Sequence, residues 1–277
     1  KYISNKKLLK FSPDIVHRTL FSNNFSIKEK SRTVITVYDL IHEILFDQGK
    51  LKPKQKAINQ ADKIICISNN TKNDLINIYN VNPDKVSVTY LGYEHMNVQS
   101  KFAENFSEKL SVPYILFVGS RKRYKNFDFF LNSFSRSKKL MGDFNVVLFG
   151  GEEILGEEKK KFENLNFKKN QIIHIKGDDL VLKNLYKNAK AHIFPSLYEG
   201  FGLPLIESMY IGCPIICSNI KPFLEIAYKS AEFFDPKNEE NLLSSIEKVV
   251  YGNEYSKMLV QKGRERVKKF SWKNCSM

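Results

Sequence analysis

Short apolar runs alternate with amphipathic stretches along most of the chain. In the second half, the unbroken apolar run Tyr114–Val118 has the pattern of a strand buried on both faces. Phe127, Phe130, Leu131 and Phe134 follow it at helical spacing and share one face. This alternation is typical of parallel α/β sheets. It predicts strands at residues 14–17, 33–37, 63–67, 85–88, 114–118, 145–149, 171–175, 191–194, 214–217 and 232–234.

Several segments between these strands have helical periodicity. Ser68 precedes the segment Asn69–Tyr79 and is a suitable N-cap. Asp178 and Asp179 are of the type found at a helix N-cap and first turn. The pattern predicts further helices at residues 126–137, 152–167, 178–188 and about 203–210, and two more that reach residue 270.

The periodicity fails around residues 94–112, which are polar and charged. We therefore predict an N-terminal domain at 1–95, a linker at 96–112 and a C-terminal domain at 113–277. The first domain has four predicted strands and the second has six. A complete doubly wound domain usually needs about 150 residues, so we expect the N-terminal domain to be incomplete. The start at Lys1 rather than Met agrees with a fragment.

Charge and cysteine content restrict the function classes. The formal net charge is +14, and the lysines are scattered over most of the chain, which a lysine-rich composition explains. Contact with an anionic membrane surface stays open. No nucleic-acid motif accompanies the charge, and aromatic residues do not interleave with the basic runs, so we do not expect nucleic acid as a partner. Cys213 directly precedes a predicted buried strand and Cys217 is its last residue, and no second pair or nearby His completes a metal site. Unpaired cysteines and the lack of a signal-peptide pattern favour a cytoplasmic location, or the inner face of the membrane if the charge binds it.

The segment 194–209, FPSLYEGFGLPLIESM, carries most of the chemical information. A strand ends in a turn containing Gly200 and Gly202, and Pro204 lies just inside a helix. Free backbone N–H groups and the helix dipole make such a turn suited to a diphosphate. Glu199 and Glu207 flank the turn with seven residues between them. Carboxylates here would repel the diphosphate unless they contact another group, and sugar hydroxyls are the obvious candidates. Taken singly, Glu199 is better explained as a solvated loop acid, and Glu207 as a first-turn acid that complements the helix dipole.

This segment resembles the E-x7-E motif of glycosyltransferase family 4, and the match extends through Phe201, Leu203 and Met209 to Gly212 and Pro214. Other stretches agree in chain order and are similar to the family's strands and loops: 36–40, 62–75, 88–92, 117–126 and 233–236. The resemblance implies an α/β fold of the GT-B type, with two Rossmann-like doubly wound parallel-sheet domains facing a cleft. It also implies a retaining hexosyltransferase that uses a nucleoside-diphosphate sugar and a glycan or lipid-linked acceptor.

The resemblance also assigns roles to residues. Glu207 would bind the nucleotide ribose, Glu199 the donor-sugar hydroxyls, and Lys125 the diphosphate. Gly200, Phe201, Gly202, Leu203 and Ser120 would line the nucleotide-sugar site, and Tyr38 and Asp39 would face the acceptor or sugar. Ser120 stands where the family usually has an Arg, so Arg121 or Arg123 would substitute. Tyr38 replaces a histidine often found in that strand and loop. No metal or other cofactor is expected, and no Asp-x-Asp pair occurs in a cleft position.

Substrate identity and turnover are left open by these residues. The Tyr38-Asp39-Leu40 and Gly119-Ser120-Arg121 variants resemble those of bacterial surface-polysaccharide mannosyltransferases, which favours GDP-mannose over UDP-sugars as donor. The departures at Ser120 and Tyr38 support an alternative, a catalytically impaired nucleotide-sugar-binding or scaffold protein of the same fold. Because the family's opening Gly-rich loop has no counterpart before Asp14, we expect this chain alone to transfer sugar poorly.

Overall fold

A computed structural model of the protein describes residues 13–19, 31–46, 51–98, 110, 112–121 and 123–276. The chain divides into two compact units. The N-terminal unit consists of Lys1–Tyr90 together with Glu199–Phe201, and the C-terminal unit of Leu91–Tyr198 together with Gly202–Met277.

The described part of the N-terminal unit contains a parallel sheet with strand order β1-β2-β3-β4. Residues Ile35, Val37, Ile64 and Leu75 form the centre of its core. The strands are β1 (Ile15–Arg18), β2 (Arg32–Val37), β3 (Lys63–Cys66) and β4 (Val86–Val88), and the helices are α1 (Ile41–Leu45), α2 (Lys52–Gln60) and α3 (Asn69–Tyr79), with a 3-10 turn at Pro83–Lys85.

Helix α3 has the ends that its sequence predicts. The Ser68 hydroxyl accepts a hydrogen bond from the Thr71 N–H at 3.0 Å, which satisfies one of the free amides at the helix start. Asn80 ends the helix in the left-handed conformation, with φ 53°. The predicted bounds of this helix are confirmed.

The C-terminal unit is a parallel sheet with strand order β10-β9-β8-β5-β6-β7. Its strands are β5 (Tyr114–Val118), β6 (Asn145–Phe149), β7 (Ile172–Ile175), β8 (Ala191–Phe194), β9 (Ile215–Ser218) and β10 (Glu232–Phe234). Its helices are α4 (Phe127–Arg136), α5 (Lys138–Asp143), α6 (Gly156–Asn164), α7 (Asp179–Asn188), α8 (Leu203–Ile211), α9 (Lys221–Ala227), α10 (Glu239–Tyr251), α11 (Asn253–Val267) and α12 (Trp272–Ser276), with 3-10 turns at Glu94–Met96 and Arg123–Lys125.

Burial in the C-terminal unit follows the apolar pattern. All five residues of β5 are buried. Phe127, Phe130, Leu131 and Phe134 of α4 are also buried and belong to the same core cluster, as their shared face predicts. The predicted strands are confirmed, and their ends agree with the structure within one residue.

The structure differs from prediction at several helices. The helix expected at residues 152–167 spans only Gly156–Asn164: Leu155, its N-cap residue, is extended (φ −85°, ψ 169°), and Asn166 beyond its end has a positive φ of 61°. Helix α9, which has Pro222 in its first turn, was not predicted, and neither were the short helices α1, α2, α5 and α12. Most of the predicted linker, residues 99–109 and 111, lies outside the described residues. In the part of the chain that the structure describes, no helix is both long enough and apolar enough to cross a membrane.

Candidate active site

The C-terminal sheet has a topological switch point beside β5. Successive strands β5, β6 and β7 extend the sheet in one direction, whereas β8, β9 and β10 extend it in the other. In open α/β sheets, ligands bind at the carboxyl ends of the two strands where the order reverses, here β5 and β8. The loops after these strands touch, since the Leu197 N–H donates to the Tyr124 carbonyl at 2.8 Å. These loops hold several of the predicted site residues.

Lys125 belongs to the loop after β5. Its Nζ lies 5.0 Å from the ring centroid of Phe194, the last residue of β8, and 5.5 Å from that of Tyr124. Burial and then the charge of Lys125 lower the pKa of His192, a residue of β8, to about 3. The imidazole of His192 is therefore neutral at physiological pH. The structure thus places the predicted diphosphate-binding lysine against the end of β8.

The two candidate arginines have different surroundings. The Arg121 guanidinium is tightly held: Nε lies 2.6 Å and Nη2 3.0 Å from the two carboxylate oxygens of Glu158, and Nη2 donates to the Glu152 carbonyl at 2.7 Å. This pairing holds the pKa of Glu158 below its usual range. Arg123 is exposed, in the 3-10 turn that contains Lys125. Ser120 is half-buried beside Gly119, which has φ 115°. Which arginine serves the site stays a prediction, and the existing bonds of Arg121 favour Arg123.

The loop after β8 leads into α8 through Gly202. Gly202 is the N-cap residue, with φ 100°, a conformation that glycine adopts without strain. Leu203 is the first helical residue and Pro204 lies in the first turn. Among the described residues, no side chain caps this helix end by a hydrogen bond. Pro204 has no N–H and the Leu205 N–H donates to the Gly202 carbonyl at 2.9 Å, so the Leu203 N–H and the positive end of the helix dipole are the features suited to bind an anion.

Glu207 is held by two side chains of the C-terminal unit. Its Oε1 lies 2.9 Å from Nε2 of His95, and its Oε2 accepts a hydrogen bond from the Tyr186 hydroxyl at 2.9 Å. Its side chain is only 9% exposed, so both bonds compensate for the lost hydration of the carboxylate. Burial and the neighbouring Glu207 raise the pKa of Tyr186 well above its ordinary value, so its hydroxyl is a neutral donor.

Gly200 lies in the N-terminal unit, next to two predicted acceptor-side residues. Its carbonyl accepts hydrogen bonds from the hydroxyls of Ser68 at 2.6 Å and Thr71 at 3.1 Å. A Cβ added to Gly200 would lie 2.0 Å from the Tyr38 carbonyl oxygen and 3.0 Å from the Asp39 Cβ. Only glycine fits this close approach of two backbones. The structure therefore brings together Gly200, Tyr38 and Asp39.

Three predicted residues of this unit, Glu199, Phe201 and Tyr38, differ in their exposure. Glu199 is 8% exposed, and the ring of Phe201 lies 6.1 Å from that of Tyr90. The Tyr38 side chain is exposed.

A buried ion pair contacts the backbone of Asp39. Lys54 Nζ lies 2.7 Å from Glu43 Oε1 and donates to the Asp39 carbonyl at 3.2 Å. The Tyr79 hydroxyl donates to the same Glu43 oxygen at 2.6 Å. Removal of one partner from a buried pair of this kind leaves an uncompensated charge, which costs about 3–5 kcal/mol. The sequence pattern alone did not indicate this pair.

Comparison with known proteins identifies the family of the chain. Residues 98–266 match the sequence model of the family described as Glycosyl transferases group 1, and residues 3–95 match that of Glycosyltransferase Family 4. The chain belongs to the group 1 glycosyl transferases. The resemblance drawn from the E-x7-E segment is thereby confirmed, and so is the GT-B type of fold, with its two parallel α/β sheets.

Individual relatives are more distant. O-antigen chain mannosyltransferase B of Escherichia coli is 22% identical over 274 residues, which cover 91% of this chain and 70% of that protein. O-antigen chain mannosyltransferase RfbU of Salmonella typhimurium is 28% identical over 196 residues, covering 70% of this chain and 52% of its own length. This chain thus spans only about half of RfbU. Anabaena Alr3699/HepE, solved in complex with UDP-glucose, superimposes with a TM-score of 0.75 at 13% identity, covering 89% of this chain and 71% of HepE.

Sequence reasoning about this glycosyltransferase missed His95 and Tyr186. His95 lies in the non-periodic stretch around residue 94, and its partner Glu207 is 112 positions away. The local signal was weak: Met96 is an apolar residue in a polar stretch, and it is fully buried in the core of the C-terminal unit.

No metal cluster is evident in the described part of the glycosyltransferase. Within those residues, no group of three or more His, Cys, Asp or Glu side chains is arranged to hold a metal ion. The Lys125 ammonium and the start of α8 are candidates for binding an anion there. These groups can neutralise a diphosphate by charge and hydrogen bonding.

Proposed function

We propose that this chain transfers a hexosyl unit, with mannose preferred, from a nucleoside-diphosphate sugar to a glycan or lipid-linked acceptor, with retention of the anomeric configuration. The observation that carries the proposal is the switch point of the C-terminal sheet. There, Lys125 lies against the end of β8, and the next loop leads into the uncapped start of α8, the helix that carries Glu207. This arrangement has a cation and the positive end of a helix dipole for a diphosphate, and a carboxylate for hydroxyls.

In the proposed reaction, the bond between the sugar C1 and the diphosphate oxygen breaks, and a bond from C1 to the acceptor oxygen forms on the same face. The acceptor hydroxyl proton passes to the departing diphosphate. Lys125 and the amides of α8 stabilise the negative charge that develops on the leaving group. Glu199 and Glu207 bind hydroxyls, so the two carboxylates are not a hydrolase acid and base pair.

The donor is proposed to be GDP-mannose. The variants at Tyr38–Leu40 and Gly119–Arg121 favour it, and two of the relatives compared here are mannosyltransferases by name. HepE was solved with UDP-glucose, which keeps a UDP-sugar as the second choice. Transfer of radiolabelled sugar from each donor to lipid-linked and free glycan acceptors, with the product anomer assigned by NMR, tests the donor and the stereochemistry. Because this chain alone is expected to transfer poorly, nucleotide binding without transfer would favour the impaired binding protein only if a version extended at both ends also fails to transfer sugar.

We expect GDP to bind the chain with the same affinity in the presence and absence of EDTA, because the diphosphate is neutralised by Lys125 and helix amides rather than by a divalent metal. Isothermal titration calorimetry of the whole chain with GDP, with UDP as the comparison, measures this. A loss of GDP binding upon addition of EDTA, restored by Mg²⁺, would contradict the metal-independent mechanism.

The excess of positive charge supports a further part of the proposal, peripheral contact with the anionic inner face of the membrane from the cytoplasm. The net charge of +14 attracts anionic surfaces over about a Debye length, which is about 10 Å at 0.1 M salt. In sedimentation with vesicles, we expect the chain to bind phosphatidylglycerol at 0.1 M salt, to be released at 0.5 M salt, and not to bind phosphatidylcholine. Equal binding to both lipids would show that the charge does not direct the contact.

A further inference from the structure

The 3-10 turn Glu94–Met96 places His95 beside Glu207. Met96 is fully buried among Tyr114, Leu116 and Leu185 of the C-terminal unit, so the turn is fixed to this core. His95 precedes Met96, and its Nε2 reaches Glu207 Oε1 at 2.9 Å, while its side chain remains 31% exposed. The backbone at His95 is therefore anchored through the buried Met96, while its imidazole remains partly accessible to solvent.

The two partners of Glu207 differ in their response to pH. Tyr186 is fully buried, and its raised pKa keeps its hydroxyl protonated. His95 changes its charge near neutral pH, and its hydrogen bond to Glu207 raises its pKa, against the opposing effect of burial. The carboxylate thus has one constant neutral donor and one donor that is a cation only when protonated.

Other charged groups surround His95. Glu94 in the same turn and Asp179 in α7 also raise its pKa. The carboxylate of Glu94 accepts a hydrogen bond from the Trp272 N–H at 3.0 Å. Helix α7 also carries Lys183, whose ammonium donates to the Val98 carbonyl at 2.8 Å. The Tyr210 hydroxyl of α8 donates a hydrogen bond to Oδ1 of Asn97 at 3.4 Å. The carboxylates of Glu207, Asp179 and Glu94 thus each favour the protonated form of His95.

We propose that His95 is the positioning residue of Glu207, and that its protonated form strengthens the binding of a nucleoside diphosphate. The inference rests on the proposed function, in which Glu207 binds the ribose. A bare carboxylate near the diphosphate repels it, and a charged imidazole on Oε1 offsets this repulsion. The hydrogen bonds from His95 and Tyr186 also fix the carboxylate, whose remaining lone pairs point to hydroxyl donors.

The sign of the pH effect follows from the raised pKa of His95. The ordinary pKa of histidine is about 6.5, so His95 is charged at pH 6 and loses its proton at a higher pH than an isolated imidazole does. Nucleotide affinity is therefore highest at pH 6 and falls as the pH rises through the pKa of His95. The contribution of the His95–Glu207 pair to folding stability changes in the same direction, because it is complete below the pKa of the unfolded state.

The affinity of the whole chain for GDP, measured by calorimetry at half-unit steps from pH 6 to pH 9, tests the inference. For the unmodified chain we expect a decrease of about fivefold over this range, smaller than for a fully buried pair because His95 is partly exposed. His95→Gln keeps a donor without the charge, so its affinity should be independent of pH and near the high-pH value of the unmodified chain. His95→Ala should be equally independent of pH and weaker by a further factor of about 5, since the hydrogen bond is lost.

His42→Gln is the matched control. His42 is an exposed histidine of α1 in the N-terminal unit, and its replacement should leave the pH profile unchanged. An unmodified chain whose GDP affinity does not change with pH, or a His95→Gln variant that keeps the full decrease, overturns the role of His95.

NMR separates this result from failure of the proposed function. The pKa of the His95 imidazole, measured without nucleotide, should fall in Glu207→Gln towards the ordinary value. An unchanged pKa overturns the pairing itself. If the pKa falls but no nucleotide binds the unmodified chain at any pH, the proposed function fails together with the binding role of His95, whereas the pairing stands.

Discussion

Lys125→Ala is expected to lower the turnover of sugar transfer by about 100-fold or more, with a much smaller effect on folding stability. The ammonium lies 5.0 Å from the Phe194 ring centroid, beside the start of the loop that leads to α8. Loss of one preorganised group that stabilises leaving-group charge typically costs this factor, which corresponds to about 2.7 kcal/mol of the activation barrier. Initial rates at saturating donor, compared with thermal unfolding of the same variant, measure both effects.

Lys139→Ala is the control for this variant. The Lys139 ammonium also lies over an aromatic ring, 3.7 Å from the Tyr251 centroid, but in α5, which follows α4 rather than the carboxyl end of a strand. Its removal eliminates a comparable cation–π contact, worth about 0.5–1 kcal/mol at an exposed site, and should leave turnover within about twofold. Equal turnover in both lysine variants would mean that Lys125 is part of a solvated surface.

The arginine variants extend the same experiment. Arg123→Ala should reduce turnover if the exposed guanidinium takes the place of the arginine that Ser120 replaces. Arg121→Ala should mainly lower the unfolding temperature, because it removes the two bonds to Glu158 and the bond to the Glu152 carbonyl. A large loss of turnover in Arg121→Ala without loss of stability would reverse this assignment.

The sequence was sufficient to predict the strands, because buried parallel strands such as β5 are continuous apolar runs. The sequence was less informative about where some helices begin, because the local pattern of residues does not mark those positions. Helix α9 follows β9 after only two residues and has Pro222 in its first turn. Because the connection is so short, the sequence pattern did not indicate where this helix begins. Helix α6 begins four residues later than predicted, because Leu155 before it is extended, although the charged residues from 152 onward would permit a helix.

The candidate site was predictable only as far as its residues are close in sequence. Glu199, Gly200, Gly202 and Glu207 lie in one short segment, so their spacing was visible. His95 and Tyr186 reach Glu207 from 112 and 21 positions away, and only the fold brings them together. The pairing of Arg121 with Glu158 is likewise non-local. Residues that contact the candidate site from distant parts of the sequence could therefore be identified only from the structure.

Glu207→Gln and Glu199→Gln are expected to separate nucleotide binding from sugar transfer. Glutamine keeps the shape of Glu207 and an oxygen for the Tyr186 hydroxyl, so the fold should persist. It removes a charge-assisted acceptor of hydrogen bonds worth about 1.5–3 kcal/mol, and GDP affinity should therefore fall by about 10-fold to 150-fold. Glu199→Gln should leave GDP affinity within about twofold, since GDP lacks the sugar that Glu199 is proposed to contact, but transfer should fall strongly.

Calorimetry with free GDP and initial rates of transfer, measured on the same preparations, distinguish the two carboxylates. Glu163→Gln, at an exposed position of α6, is the control for a general effect of charge. Separate roles predict two results. The loss of GDP affinity must be much larger in Glu207→Gln than in Glu199→Gln. The loss of transfer rate at saturating donor must be larger in Glu199→Gln than in Glu207→Gln. Equal losses for both variants in both assays would show that the two carboxylates act as one unit, and the separate assignments to ribose and sugar would then be wrong.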